Sequence, residues 1–311
     1  MSRSYSPDEM ATPHDPSREP RANEPGLHRY VEGQDQGRSG SSENQPRPST
    51  AQEARKPDAR TVEPRKPYEY RNRTYALRNS EIQTLTDIGT FRAVDAKDLR
   101  EFAYGGNSKH LEADLTNLRR QGLIVEREIP HQETAPRPLV ALTKQGHRLL
   151  VATNNTPKDQ ALYHGFTKPR EAHHDADLYR LYQRGLEKIA RQGGTNIRVI
   201  LDLELKKNLY HDLARAARNG NSGDAKTEIA ERHGLRVVRG KIPVPDLRIE
   251  YETSDQEHAR VDLELATEHY RFRNIAQKVR AGFSIYARAQ DASNLRRVLD
   301  QHELTAEILS L

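Results

Sequence analysis

Apolar residues recur at helical intervals through three short blocks early in the chain. Ile82, Leu85 and Ile88 follow Ser80, a residue suited to cap the helix they mark, and Gly89-Thr90 closes it. Ala96, Leu99 and Phe102 form the inner face of a second short helix behind Asp95, which Gly105-Gly106 breaks. Leu111, Leu115 and Leu118 do the same for a third, running from Asn107-Ser108 to about Gln121, with Gly122 in the usual glycine position past a helix end. Two extended runs, Leu123–Ile129 and Leu139–Leu142, then flank a loop holding Pro130, Pro136 and Pro138. A fourth helix starts at Thr143 and carries Leu149 and Leu150.

Three helices, a hairpin and a closing helix make the order of a winged helix-turn-helix, expected over residues 75–153. The strings Leu118-Arg-Arg-Gln-Gly-Leu-Ile and Leu142-Thr-Lys-Gln-Gly-His-Arg-Leu-Leu resemble the winged-helix domains of many bacterial regulators. The resemblance implies that the third helix enters the major groove of double-stranded DNA. Asn107, Ser108, Lys109, His110 and Glu112 then face base edges, and Arg119 and Arg120, with Arg127, His131 and Arg137 in the wing, sit on phosphates. A winged helix that serves only to contact protein is the competing reading.

Beyond a polar loop over Thr153–Lys168, the pattern changes. Leu178, Leu181, Tyr182, Leu186 and Ile189 mark the stripe of a long amphipathic helix over about Glu171–Gln192, which Gly193-Gly194 stops. Ile197–Leu205 reads as a strand. In the stretch 245–266, Leu247, Ile249 and Tyr251 alternate with Asp246, Arg248, Glu250 and Glu252; Val261, Leu263 and Leu265 alternate with Arg260, Asp262 and Glu264. That is a β-hairpin with one apolar and one polar face. Residues 170–311 are expected to form an α/β domain with a mixed sheet, so the fold class is α+β.

With the hairpin turn centred on Asp255, Arg248 faces Asp262 and Glu250 faces Arg260. Asp246 then faces Glu264, a like-charged pair that calls for a cation, metal or side chain, between its members. Two carboxylates on neighbouring strands, one after a proline, begin the Pro-Asp…(Asp/Glu)-x-Lys nuclease pattern, in which they hold Mg²⁺ or Mn²⁺ through hard oxygen ligands. The lysine position is occupied by Ala266; Lys278, on the following helix, is the candidate to replace it. An ordinary salt-bridged polar face is the alternative. His173, His174 and Asp175 occupy successive helix positions and do not converge on one ion, so packing or capping is their expected role. Glu204 and Lys206 repeat the Glu-x-Lys spacing, but before Asp246.

Composition bounds the rest. Ten of the seventeen prolines lie in residues 1–68, among few large apolar side chains, so this stretch is expected to be a disordered tail. It holds eleven basic and eleven acidic residues, which assigns the net charge of +5 to the remainder. There is no cysteine and no apolar run long enough to span a bilayer, and the N-terminus lacks the apolar core of a signal peptide. A cytoplasmic protein without membrane contact is expected. No Gly-x-x-x-x-Gly-Lys loop for adenine nucleotides is present.

The whole order resembles the replication-relaxation family of bacterial plasmids and integrative conjugative elements. The likeness runs over about residues 77–290. It rests on the Leu142-Thr-x-x-Gly start of the closing helix, His174-Asp-Ala-Asp-Leu, Glu204, Pro245-Asp246, the strand ending in Glu264, and Lys278 and Tyr286. It implies a restriction-endonuclease-like core behind the winged helix and a DNA-handling role in element replication or mobilisation. No cofactor is then needed for DNA binding, and other replication or mobilisation proteins, or a second copy of the chain, are candidate partners. A Mg²⁺-dependent endonuclease using Asp246, Glu264 and Lys278 is the alternative, and a protein-interaction module a third.

Overall fold

The computed structural model describes residues 63–130, 136–157, 159–166, 169–220, 224–266, 272–300 and 308–310. Most of the expected tail lies outside these residues, but its last part does not. Strand β1 (Lys66–Tyr70) pairs antiparallel with β2 (Arg73–Leu77). Arg71 and Asn72 turn between them, both at positive φ, as the tightest hairpins require. Tyr75 and Leu77 are buried by this hairpin, so ordered structure begins before residue 68.

Helix α1 (Asn79–Phe91) follows, with Ser80 inside its first turn rather than at the cap. Glu81 instead accepts the Arg78 N–H (2.9 Å), as the third residue of a helix often does for the residue before it. The two-residue strand β3 (Val94–Asp95) leads to α2 (Ala96–Asp98), which continues as a π turn over Leu99–Ala103. The Asp95 carboxylate caps this helix on the Lys97 N–H (2.8 Å). Helix α3 (Ser108–Arg120) and strands β4 (Ile124–Ile129) and β5 (Arg137–Leu142) come next, then α4 (Lys144–Thr153). The three-stranded sheet has the order β3-β5-β4. Thr143 caps α4 on the Gly146 N–H (3.0 Å), and a Cβ at Gly146 would stand 2.0 Å from the Leu123 carbonyl oxygen. That approach explains the glycine of Leu-Thr-x-x-Gly.

The loop after α4 is a strap. Tyr163 N–H donates to Gly89 O (2.7 Å) and Gly165 N–H to Leu142 O (2.8 Å). The Gln160 amide both donates to and accepts from Val199 on the next sheet's edge strand. Helix α5 (Pro169–Arg191) then leads to β6 (Thr195–Leu201). The strand ends there, four residues short of expectation, because Asp202 opens α6 (Asp202–Arg218). Leu203 is 48% exposed while Leu205 is buried, as opposite sides of a helix's first turns require, whereas in a strand the two would share a face. Asp202 and Glu204 suit the positive end of that helix, and Lys206 donates back to Asp202 (2.6 Å).

After α7 (Asp224–Arg232), β7 (Leu247–Glu252) and β8 (His258–Ala266) form the expected hairpin. Helix α8 (Phe272–Ala281), β9 (Ser284–Ala287), α9 (Ala289–Asp300) and β10 (Ile308–Ser310) complete the chain. The sheet runs β10-β9-β8-β7-β6, antiparallel at β6/β7 and β7/β8, parallel at β8/β9 and β9/β10. The class is therefore mixed α and β with a mixed sheet. Leu247, Ile249, Leu263 and Leu265 face α5, in one apolar cluster that continues through α1, α3 and α4. Ile200, Ala266 and Ile285 face α6–α9 in a second cluster. Among the described residues no helix is long and apolar enough to cross a membrane. Replacing Gly146 by Ala overpacks the α4–Leu123 contact and is expected to cost about 1–3 kcal/mol in urea unfolding; an unchanged midpoint contradicts the close approach.

Candidate nucleic-acid interface and carboxylate cluster

Helix α3 turns an apolar stripe of Leu111, Leu115 and Leu118 inward, and two polar residues with it. Asp114 is fully buried and accepts from the Ser80 hydroxyl (2.6 Å) and the Tyr104 hydroxyl (3.0 Å). Arg78 (3.4 Å) and Arg65 (3.7 Å) supply its positive charge. Asn117 donates to Ala76 O (3.0 Å) and to Glu81 (2.9 Å), which Arg65 also holds (2.7 Å). Buried carboxylates persist only when paired and hydrogen-bonded, so this network fixes the rotation of α3 about its axis. Neither Asp114 nor Glu81 is marked by apolar periodicity. Their signal is a polar residue falling in line with Leu111 and Leu118, or with Leu85 and Ile88.

The outer face of α3 carries Ser108, Lys109, Glu112, Thr116, Arg119 and Arg120, all exposed. Asn107 is occupied as the helix cap, accepting from the His110 N–H (3.1 Å). His110 leans inward against the Tyr104 ring (5.1 Å) and toward Asp114 (3.4 Å). Arg119 pairs with Glu126 (2.8 Å), and Glu112 lies 3.7 Å away. Lys109 and Arg120 have no carboxylate within ion-pair distance among the described residues; Arg120 donates to Asn117 Oδ1 (3.3 Å). Arg127 lies exposed over the Phe166 ring (5.4 Å). Arg137 departs from expectation. It is 16% exposed and bonded to Asp95 (2.7 Å) and Asp177 (2.8 Å), with Asp98 3.9 Å away, so those carboxylates rather than phosphates hold it. His131 lies outside the described residues.

The second group of residues gathers where β7 begins and β8 ends. Arg248 pairs with Asp262 and Glu250 with Arg260, the register expected for a turn centred on Asp255. Asp246 and Glu264 meet one step further on: the Asp246 N–H donates to Glu264 (3.2 Å), and the Leu265 N–H donates to Asp246 (3.0 Å). Lys278 reaches back from α8 to within 2.7 Å of Glu264 and donates to Val244 O (2.6 Å). On the other side, His174 Nε2 stands 3.7 Å from Asp246. Burial opposes a charge on His174, but Asp246, Asp175 and Asp177 outweigh it and raise its pKa to about 9. Burial likewise opposes ionisation of Asp246, yet His174 and Lys278 hold its carboxyl below the usual range.

The two carboxylates thus meet Lys278 on one side and His174 on the other. A divalent ion between Asp246 and Glu264 would take the place that Lys278 and protonated His174 already fill. Among the described residues no group of three or more His, Asp or Glu side chains is arranged to hold a metal. The residues that would hold such an ion are Asp246 and Glu264. Glu204 stands apart on α6, bonded to Arg198 (2.8 Å).

His173, His174 and Asp175, expected to pack or cap, each meet a different element, and His174 does so at Asp246 itself. His173 Nε2 is 3.1 Å from Pro130 O at the end of the β4 hairpin arm, and Asp175 lies 3.6 Å from Arg92 past α1. Asp177 binds both Arg137 and Arg288. No protein-family model, curated protein or solved structure matches the chain.

A histidine whose pKa is raised in the folded state stabilises fully below its unfolded value and loses that contribution as pH rises through the folded one. The stability advantage of the native chain over a His174→Gln variant is expected to be full below about pH 6.5 and to be lost as pH rises to about 9. A His174 imidazole titrating near 6.5 by NMR contradicts the pairing with Asp246.

Proposed function

We propose that this chain is a DNA-binding accessory protein that acts in the replication, mobilisation or regulation of a bacterial mobile element. Residues 75–153 are read as its winged-helix domain, with α3 as the helix that enters the major groove. The observation that carries this reading is the asymmetry of α3. Its inner face is fixed by Asp114 and Asn117, while Ser108, Lys109 and Arg120 are exposed with no carboxylate partner among the described residues. A rigidly held helix with free donors outward is what base and phosphate contact requires. The resemblance to the replication-relaxation family supports the mobile-element setting.

Residues 170–311 are read as a restriction-endonuclease-like domain that is catalytically silent. Support comes from the mixed sheet with Asp246 at the head of its second strand and Glu264 on its third, and from the positive charge that Lys278 and His174 bring to that pair. One observation favours the endonuclease as a second reading: Lys278 meets Glu264, making up for the absent lysine at Ala266.

Fluorescence anisotropy on duplex DNA across a salt series tests the first reading. Log affinity is expected to fall steeply and linearly with log salt. Lys109→Ala should weaken binding about tenfold, roughly 1.4 kcal/mol, and Arg119→Ala less, since Glu126 already neutralises Arg119. Equal affinity in the native and Lys109→Ala proteins removes α3 from the groove. Supercoiled plasmid incubated with Mg²⁺ or Mn²⁺ should stay intact; nicking by the native chain that Asp246→Ala abolishes makes the endonuclease the function.

A further inference from the structure

A second cationic element stands beside α3, on the β1–β2 hairpin. Its tip is Arg71-Asn72, followed by Arg73. The Arg71 guanidinium lies over the Tyr70 ring (5.4 Å) and that of Arg73 over the Tyr75 ring (5.3 Å). Neither has a carboxylate within ion-pair distance among the described residues, unlike Arg65, Arg78, Arg92, Arg119 and Arg137 in the same half of the chain. Glu69 pairs with Thr74 in the ladder, so it points to the opposite face from the Tyr70–Arg73 and Tyr68–Tyr75 pairs.

The hairpin is tied to α3 rather than free. Gln121 donates to Ala76 O and accepts from the Ala76 N–H (3.0 Å each), and Asn117 donates to the same carbonyl. Tyr75 is buried and accepts from Gln145 in the first turn of α4 (2.6 Å). These ties join the base of β2 to the end of α3 at Gln121 and to the first turn of α4 at Gln145. At about 3.3 Å per strand residue, Arg73 and Arg71 then extend roughly 10–17 Å beyond Ala76. That is less than half of the ~34 Å turn of a duplex. An arginine stacked on a ring keeps its planar fork pre-oriented, so little side-chain freedom is lost when it takes a phosphate.

We infer that the β1–β2 hairpin is a second DNA-contact element, whose Arg71 and Arg73 bind backbone phosphates flanking the segment that α3 reads. The inference rests on the DNA-binding reading above. The partner is duplex DNA because the donors are guanidinium forks with no carboxylate partner among the described residues, on a hairpin tied to a helix presented for a groove. Contacts of this kind carry no sequence information and raise affinity for every duplex alike.

The test compares the full-length native chain with Arg71→Ala/Arg73→Ala, Arg71→Lys/Arg73→Lys and Lys109→Ala, on two duplexes of unrelated sequence across a salt series. Losing two phosphate contacts should lower the slope of log affinity against log salt by about 2, equally on both duplexes. The lysine pair should keep most of that slope, and circular dichroism should show all variants folded. An unchanged slope in the alanine pair, while Lys109→Ala weakens binding, overturns the hairpin contact and leaves the groove reading standing. A native chain without salt-dependent duplex binding overturns both, as does hairpin-dependent binding confined to RNA or to an acidic peptide.

Discussion

A carboxylate in the apolar stripe of a helix must be paired or the helix cannot be buried, and Asp177 imposes that condition on this protein. It lies beside Leu178 and Leu181 on α5 and is itself buried. Removing such a group from water costs several kcal/mol unless cations meet it. Arg137 from β5 and Arg288 from the segment after β9 both do. Burial opposes the charge on Asp177, but the two guanidinium groups prevail and hold its pKa below the usual carboxylate range. Arg137 reaches on to Asp95, and Asp98 is held by Arg180, one turn along α5. The three-stranded sheet and the five-stranded sheet are thereby drawn to one helix.

Apolar contacts follow the same geometry. Phe91 at the end of α1 meets Tyr179 edge-on (5.4 Å) and Tyr182 (5.1 Å). Further along α5, Gly185 lets the helix settle on the hairpin, where a Cβ would stand 2.8 Å from Ile249. Helix α5 is therefore a wall common to two segments that the sequence presents as separate domains, and residues 50–311 form one compact unit. His174, a turn before Asp177, meets Asp246. Contacts on both sides of this one helix thus link the segment that holds α3 to the Asp246–Glu264 cluster.

Much of this was legible where the determining contacts are local. A turn centred on Asp255 gives the observed hairpin register, with complementary charges at Arg248/Asp262 and Glu250/Arg260, and a one-residue slip would bury the polar face. The placement of Asp246 opposite Glu264 followed from it, and so did the demand for a cation that Lys278 and His174 meet. The boundary after Leu201 is hidden in the sequence because leucines at 201, 203 and 205 match strand alternation by type, while burial separates Leu203 from Leu205. Ser80 was taken for a cap because its residue type is right, whereas its hydroxyl is engaged by Asp114, far along the chain. Arg137 was placed on phosphate for want of any local sign that Asp177 would claim it. The β1–β2 hairpin spans the end of the expected tail, the unassigned residues 69–74 and the start of the 75–153 segment, because prolines up to Pro67 conceal the alternation of Tyr68 and Tyr70 that follows.

Native-state hydrogen exchange on the full-length chain, with and without Arg137→Ala, addresses the shared wall most directly. Slowly exchanging amides of α1 and β5 should open with the same free energy as those of α5, β7 and β8, and Arg137→Ala should lower both sets together, by about 3–5 kcal/mol for a broken buried pair. Two sets with separate opening energies, of which Arg137→Ala lowers only that of α1 and β5, would show two independent domains and contradict the account.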